Sequence, residues 1–354
     1  MVRINFKSDN VGVVAEPVLR AIQSANHGSM MSYGEDEISV LLNEKFSELF
    51  ERQVTVIPVA TGTAANAIAL SCLARPWGAI YCHQNAHVHT SETGAAEFFS
   101  AGAKLLEIPG DHGKMSAQAL SRDLLGREKG VTNRSQPDAV TLSQATERGS
   151  VYSISEMQEI GEIARASDLK FHVDGARFAN AVATLRCTPA DLTWRVGVDM
   201  LSFGVTKNGG MTADGIVVFD QALLEPLSYR LRRAGHTWSK MRFAAAQLLG
   251  YIEDGFFIDA ATHANRLARR LADAIAPLED CTILNSVEAN IVFASVPDVA
   301  LDALRAEDIS FMLRPDGTIR LVTRFDMPES DIDYTISVLS RALSPTDKPP
   351  QDGR

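Results

Sequence analysis

The sequence predicts an α/β fold, with a large unit built on a mostly parallel sheet and a smaller α+β unit toward the C-terminal end. Three observations carry this. Short apolar runs alternate with helical patterns from Val54 to Phe219, the grammar of a sheet covered on both faces. Glycine stands where a run gives way to a helix, as in Thr61-Gly62-Thr63 and Asp174-Gly175-Ala176. Beyond Asn290 the order changes to short strands mixed with two helices. A chain of 354 residues has room for one large and one small core.

The elements follow in order. Ala15–Ser24 has helical spacing, with Val18, Leu19 and Ile22 on one side. Glu37–Phe50 repeats apolar residues at three- and four-residue steps (Ile38, Leu41, Leu42, Phe46, Leu49) and reads as an amphipathic helix. Val54–Val59 is a strand, and Ala64–Leu73 an Ala-rich helix after the Gly62 turn. Strands at 79–82, 104–108, 138–142, 169–173, 200–204 and 215–219 alternate with helices at 91–101, 115–125 and 154–167. A long helical region spans 221–252, and 257–276 is another strong helix. The C-terminal unit reads as strand 290–295, helix 297–306, strands 309–314 and 318–323, and helix 329–343. The domain plan is an N-terminal segment (1–15), a large domain (16–250), a small α+β domain (251–343) and a polar, Pro-rich tail (344–354) expected to be disordered.

Composition narrows the function. Hydrophobic content of 45% and charged content of 22% are ordinary for a globular enzyme. A net charge of −10 with no long basic run argues against nucleic-acid binding. The four cysteines (Cys72, Cys82, Cys187, Cys281) lack paired metal spacing and suit reduced thiols in a cytoplasmic protein. The first residues lack the apolar core of a signal peptide, and no apolar run nears the ~20 residues that span a bilayer.

Three sites at strand ends carry chemistry. Thr61-Gly62-Thr63 opens a helix, whose free N–H groups attract a phosphate; a simple tight turn is the plainer reading. Asp174 ends an apolar run, where open α/β folds bind ligands. It also stands where a helix cap belongs, and that stretch alone leaves both readings open. Ser202-Phe-Gly-Val-Thr-Lys207-Asn-Gly-Gly210 puts a lysine just beyond another strand, among glycines expected to clear space around its amine. A lone lysine is usually a solvated charge. Together, however, a phosphate cradle, an aspartate and a lysine match the needs of pyridoxal 5′-phosphate, with Lys207 forming the Schiff base and Asp174 keeping the pyridine nitrogen protonated.

The chain resembles the threonine aldolases, fold type I pyridoxal-phosphate enzymes related to aspartate aminotransferase. The motifs that carry the resemblance are Lys7-Ser8-Asp9, Tyr33-Gly34-Glu35-Asp36, Thr61-Gly-Thr-Ala-Ala-Asn66, His87 with Glu92, His172-Val-Asp-Gly-Ala-Arg177, Thr206-Lys207 and Ile319-Arg-Leu-Val-Thr323. The resemblance implies retro-aldol cleavage of L-threonine or L-allo-threonine to glycine and acetaldehyde. It makes Lys207 the Schiff-base lysine and Asp174 the partner of the pyridine nitrogen. It sets Gly62, Thr63 and Thr206 on the phosphate and His87 against the ring. His87, His89 or a water serves as base on the substrate hydroxyl. Ser8, Arg177 and Arg320 hold the substrate carboxylate, which guanidinium groups bind in two-pronged fashion. It also implies a homodimer or homotetramer with active sites at the subunit interface, where Tyr33, Arg232 or Arg242 contribute.

Rival readings are a pyridoxal-phosphate lyase for another β-hydroxy amino acid, such as phenylserine or β-hydroxyaspartate, and a non-catalytic binding protein on the same scaffold. Metal ligation by His83, His87 and His89 lacks an evident fourth ligand, so no metal is expected. The chain departs from the commoner family pattern at Asn208–Asp214, at His236–Lys240, at Leu142–Arg148 (where Glu-Asn-Thr-His is common) and at Arg324. These departures bear on side-chain preference, stereochemistry and subunit packing.

Overall fold

The computed structural model describes residues 4–344; the expected tail from 345 onward lies outside the described residues. The strands are β1 (Ile4–Asn5), β2 (Thr55–Val59), β3 (Gly78–His83), β4 (Lys104–Ile108), β5 (Gln136–Ser143), β6 (Lys170–Gly175), β7 (Met200–Phe203), β8 (Asp214–Val218), β9 (Thr282–Ile283), β10 (Ile291–Ser295), β11 (Ile309–Ser310), β12 (Met312–Leu313) and β13 (Ile319–Val322). Seven of them form the main sheet in the order β2-β8-β7-β6-β5-β3-β4. Every neighbouring pair is parallel except the two that involve β8. Because β8 runs against both neighbours, β2 through β7 all point the same way. Their carboxyl ends therefore share one edge, and β8 begins there.

The strands read as continuous apolar runs because both faces are covered. β7 is wholly buried, and Phe203 meets Phe46 edge-to-face at 5.1 Å under the Glu37–Leu49 helix. Truncating Phe203 to Ala should cost about 3–5 kcal/mol, because the cavity would open beneath the strand that leads to Lys207.

A smaller antiparallel sheet, β12-β13-β10-β9, makes a second core with the helices Asp298–Ala306 and Glu329–Ala342. Ile4 and Phe6, from the chain's start, pack into this core, and β1 pairs with β11. The helix Phe256–Ile275 serves both cores, with Phe257 and Ala261 in the first and Leu267, Leu271 and Ile275 in the second. Alternation sorts the small sheet's faces: Val292, Ala294, Ile319 and Leu321 enter its own core, while Ile291, Phe293 and Val322 form a separate buried patch. Arg320 is the cross-strand partner of Phe293, so it shares that second face.

Several elements differ from the sequence reading. The helix expected at 91–101 is only Ala95–Phe99, preceded by a single turn at His87–Thr90, because Thr93 and Gly94 take left-handed φ angles of 54° and 74°. The region 221–252 divides into Leu224–Arg233 and Arg242–Ile252 around Gly235. The strand at 309–314 is split between two sheets at Phe311. Leu19, grouped with Val18 on an apolar face, is 41% exposed. Among the described residues no helix is long and apolar enough to cross a membrane.

Candidate active site

The shared sheet edge gathers the predicted residues. A cleft of about 390 Å³ is lined by Asn10, Ala60, Thr61, Gly62, Thr63, Asn66, His87, Ser91, Asp174, Ala176, Gly204, Thr206, Lys207 and Asp214. Each chemical group arrives from a different strand end. After β2, Thr61 caps the helix Gly62–Leu73 by accepting from the Ala64 N–H. The N–H groups of Gly62 and Thr63 head this helix, where no intrahelical acceptor reaches them.

Asp174 lies near the end of β6 and is buried. Its Oδ1 accepts from the Ala176 N–H at 3.1 Å, while Oδ2 accepts from the Asn66 amide at 3.0 Å. The aspartate ties a local turn and also lines the cleft. Two residues earlier on the same face, His172 is buried between the Thr141 and Ser202 hydroxyls at 2.8 and 3.0 Å. Burial brings its pKa down to about 4, so it is a neutral tie between β5, β6 and β7.

Lys207 sits in a tight turn after β7. The Asp214 carboxylate anchors the turn by accepting from the Val205 and Thr206 N–H groups at 2.8 and 3.0 Å. The glycines that follow serve packing more than space around the amine. Gly209 has φ 113°, and a Cβ there would stand 2.8 Å from the Ala15 Cβ. The Thr206 hydroxyl is buried and has no hydrogen-bond partner, a donor awaiting an acceptor.

His87 opens the turn after β3. Its Nδ1 lies 2.7 Å from Glu92 Oε1, and its backbone N–H donates to Glu147 Oε1 at 2.7 Å. The hydrogen bond to Glu92 raises the His87 pKa above 6.5; the charges of Asp174 and Glu92 add to this, against burial and Lys207. Glu147 also accepts from the Ser143 hydroxyl at 2.6 Å, and burial raises its pKa. His83 and His89 turn elsewhere, toward the Gly110 carbonyl and the Glu107 carboxylate. His87, Glu92 and Asp174 bring ligand-type atoms within 4.8 Å of one another. The Asn66 amide donates to both carboxylates and links them in one hydrogen-bond network.

Ser8, Arg177 and Arg320 stand outside the cleft lining. Ser8 caps a short turn by accepting from the Asn10 N–H. Arg177 gives Nε and Nη2 to Asp9 at 2.7 and 3.0 Å, a buried two-pronged pair. Burial alone would raise the Asp9 pKa, but the charges of Arg177 and Lys207 and hydrogen bonds from Arg177 and Asn290 hold it below the usual carboxylate range. Arg320 is pushed down to about 10, first by burial and then by the like charge of Arg177. A guanidinium so placed favours an incoming carboxylate.

Asp9, Asn66, Glu92, Glu147 and Asp214 complete the site without having been assigned roles from sequence. Asp9, Asn66 and Glu92 were visible within motifs, and Asn66 is a polar residue inside an Ala-rich helix. Glu147 and Asp214 reveal themselves only through their partners.

The chain matches the family model for beta-eliminating lyases over residues 5–298. It is 39% identical over 328 residues to a low specificity L-threonine aldolase of a Pseudomonas species, covering 92% of this chain and 94% of that one. To the Pseudomonas aeruginosa protein of the same name it is 40% identical over 306 residues, covering 86% and 88%. The structure of Leishmania major threonine aldolase superposes with a TM-score of 0.89 at 26% identity, covering 96% of this chain and 100% of that one.

Proposed function

Because this chain belongs to the beta-eliminating lyase family and, within it, to the threonine aldolases, we propose that it cleaves L-threonine and L-allo-threonine to glycine and acetaldehyde. The observation that carries this reading is the convergence of Lys207, Asp174 and the Gly62 helix start in one cleft.

The donor set fits pyridoxal 5′-phosphate. The N–H groups of Gly62 and Thr63 and the unpartnered Thr206 hydroxyl suit a phosphate. Asp174 suits a protonated pyridine nitrogen, Lys207 an aldehyde, and the His87 imidazole the face of the ring. When bound, this group supplies the sink for the electron pair of the Cα–Cβ bond.

The chain's own residues do the rest. Arg320, with the Nη1 that Arg177 keeps after serving Asp9, binds the substrate carboxylate; Ser8 adds a hydroxyl beside them. Fixing the carboxylate decides which bond at Cα is presented for cleavage, which is how a protein selects among the reactions this chemistry permits. His87 accepts the proton of the β-hydroxyl.

A second reading has its own support. Arg148 and Arg314 each lie 5.4 Å from the Phe293 ring, close to Arg320, and favour a substrate with an anionic side chain such as β-hydroxyaspartate. The same proposal includes a cytoplasmic location, which four free thiols suit, and a homodimer or homotetramer. Exposed Met31 and Tyr33 support self-association, with Arg232 over the Tyr33 ring at 5.2 Å; sedimentation of the purified protein tests it.

The deciding experiment supplies threonine, allo-threonine, phenylserine and β-hydroxyaspartate to the cofactor-loaded protein and identifies glycine and each aldehyde. Acetaldehyde from either threonine diastereomer is the expected result; no aldehyde from any of them would overturn the proposal.

A further inference from the structure

We infer that Glu92 is a positioning residue for the reaction: it sets the tautomer and orientation of the His87 ring and balances the charge that the ring takes up, while Asn66 ties it to Asp174. The inference rests on the reading of His87 as the base.

The Glu92 side chain has 0% exposure. Its Oε1 accepts from His87 Nδ1 at 2.7 Å and from Asn66 Nδ2 at 2.9 Å, and the same amide donates to Asp174 Oδ2 at 3.0 Å. An amide NH₂ carries two protons, one for each carboxylate. One oxygen of each acid is thus met by a donor, and the orientation of the Asn66 amide follows from the network. A carboxylate at Nδ1 calls for a proton on that nitrogen. In the neutral ring the lone pair is then on Nε2, so Nε2 is the atom left to receive a proton at the cleft.

The proton step balances as follows. The β-hydroxyl proton passes to Nε2 and the O–H pair becomes the second C–O bond of the aldehyde. The Cα–Cβ bond breaks with its electron pair left on Cα. His87 becomes a cation that faces a buried carboxylate, and a fixed partner of this kind stabilises charge as it forms. Glu92, Asp174 and Lys207 are the charged groups acting on the ring, and the Glu147 carboxyl holds the residue's backbone. The local chain is bent to bring Glu92 in. Left-handed φ angles at Thr93 and Gly94 delay the next helix to Ala95, so that Glu92 points inward from a non-helical turn. Space-filling alone would not require a charged side chain here, since burying a carboxylate without a partner is costly.

The test is NMR titration of the His87 ring nitrogens in the cofactor-loaded protein, beside the pH profile of kcat/KM. In the wild type Nδ1 should carry the proton in the neutral ring, with a ring pKa above 6.5. Glu92→Gln can still accept both hydrogen bonds but lacks charge. It should lower that pKa by about one unit and cut kcat by about 10- to 100-fold, with the acidic limb of the profile moving the same way. A wild-type ring protonated on Nε2 when neutral, or a His87 pKa unmoved in Glu92→Gln, overturns the inference. The wild-type measurement stands even if the variant fails to fold. Should the ring pKa move while the acidic limb does not, the base role of His87 fails and the hold of Glu92 on the ring stands.

Discussion

The two sides of the cleft are built differently. On the side of Asp174, His87 and Lys207, each group hangs from the end of a buried strand, and its neighbours come from the same sheet edge. On the side of Arg177 and Arg320, the groups come from a helix start and from the small sheet. Arg177 is held by the distant Asp9, which Asn290 also bonds, and Arg320 is set by its cross-strand pairing with Phe293. The first side is positioned by fold topology and the second by individual ion pairs and cross-strand contacts. A sheet edge tolerates the loss of one side chain as a scaffold, whereas an ion pair does not, so substitutions on the two sides should differ in kind.

The sharpest break comes on the sheet-edge side. Lys207→Ala should lower the aldehyde-forming rate by about 10,000-fold or more. It should also abolish the visible absorption of the bound cofactor, while thermal unfolding changes little. A fold that unravels would mean that the lysine turn is part of the scaffold.

On the ion-pair side the order reverses. Asp9→Ala leaves a buried Arg177 without its partner, and urea denaturation should show a loss of about 3–5 kcal/mol. Unchanged stability would erase the distinction between the two sides.

The scaffold has its own pH signature. The folded pKa of His172 is about 4 against an ordinary 6.5. Below 6.5 the unfolded chain takes a proton that the folded chain refuses, so stability falls as pH drops from about 6.5 to about 4. The loss should reach about 3 kcal/mol, measured as the difference between the wild type and His172→Asn across that window. Equal pH dependence in both proteins would remove His172 from the account.

A smaller effect is expected at Arg320→Gln. KM for threonine should rise so that kcat/KM falls about 100-fold, with cofactor absorption and stability retained. A fall in kcat alone would place Arg320 away from the carboxylate.

The same division governs what could be read from sequence. Strands ending in Asp174 or just before Lys207 were legible because doubly covered strands are plain apolar runs, and a polar residue at the end of one is conspicuous. The residues that pair across long sequence distances left no such mark. Asp9 stood inside a motif with no role attached, and nothing in its neighbourhood showed that it would bind Arg177. Ser8 read as a carboxylate contact, and the sequence did not show that its oxygen also caps a turn two residues on, an acceptor role that leaves the O–H free to donate. The helix expected at 91–101 failed because Thr93 and Gly94 leave helical space to deliver Glu92, a tertiary demand that local helical propensity does not register.

By itself, the sequence determined the α/β class, the positions of most strands along the chain and the residue types near their carboxyl ends, because periodicity and composition depend on burial averaged over many neighbours. Only the tertiary structure decided which charges meet: Asp9 with Arg177, Glu92 with His87, and Asn66 between two acids. Such pairings depend on distances of 2.7–3.0 Å between segments up to 168 residues apart, and these are set by how the sheet and its covering helices close on one another.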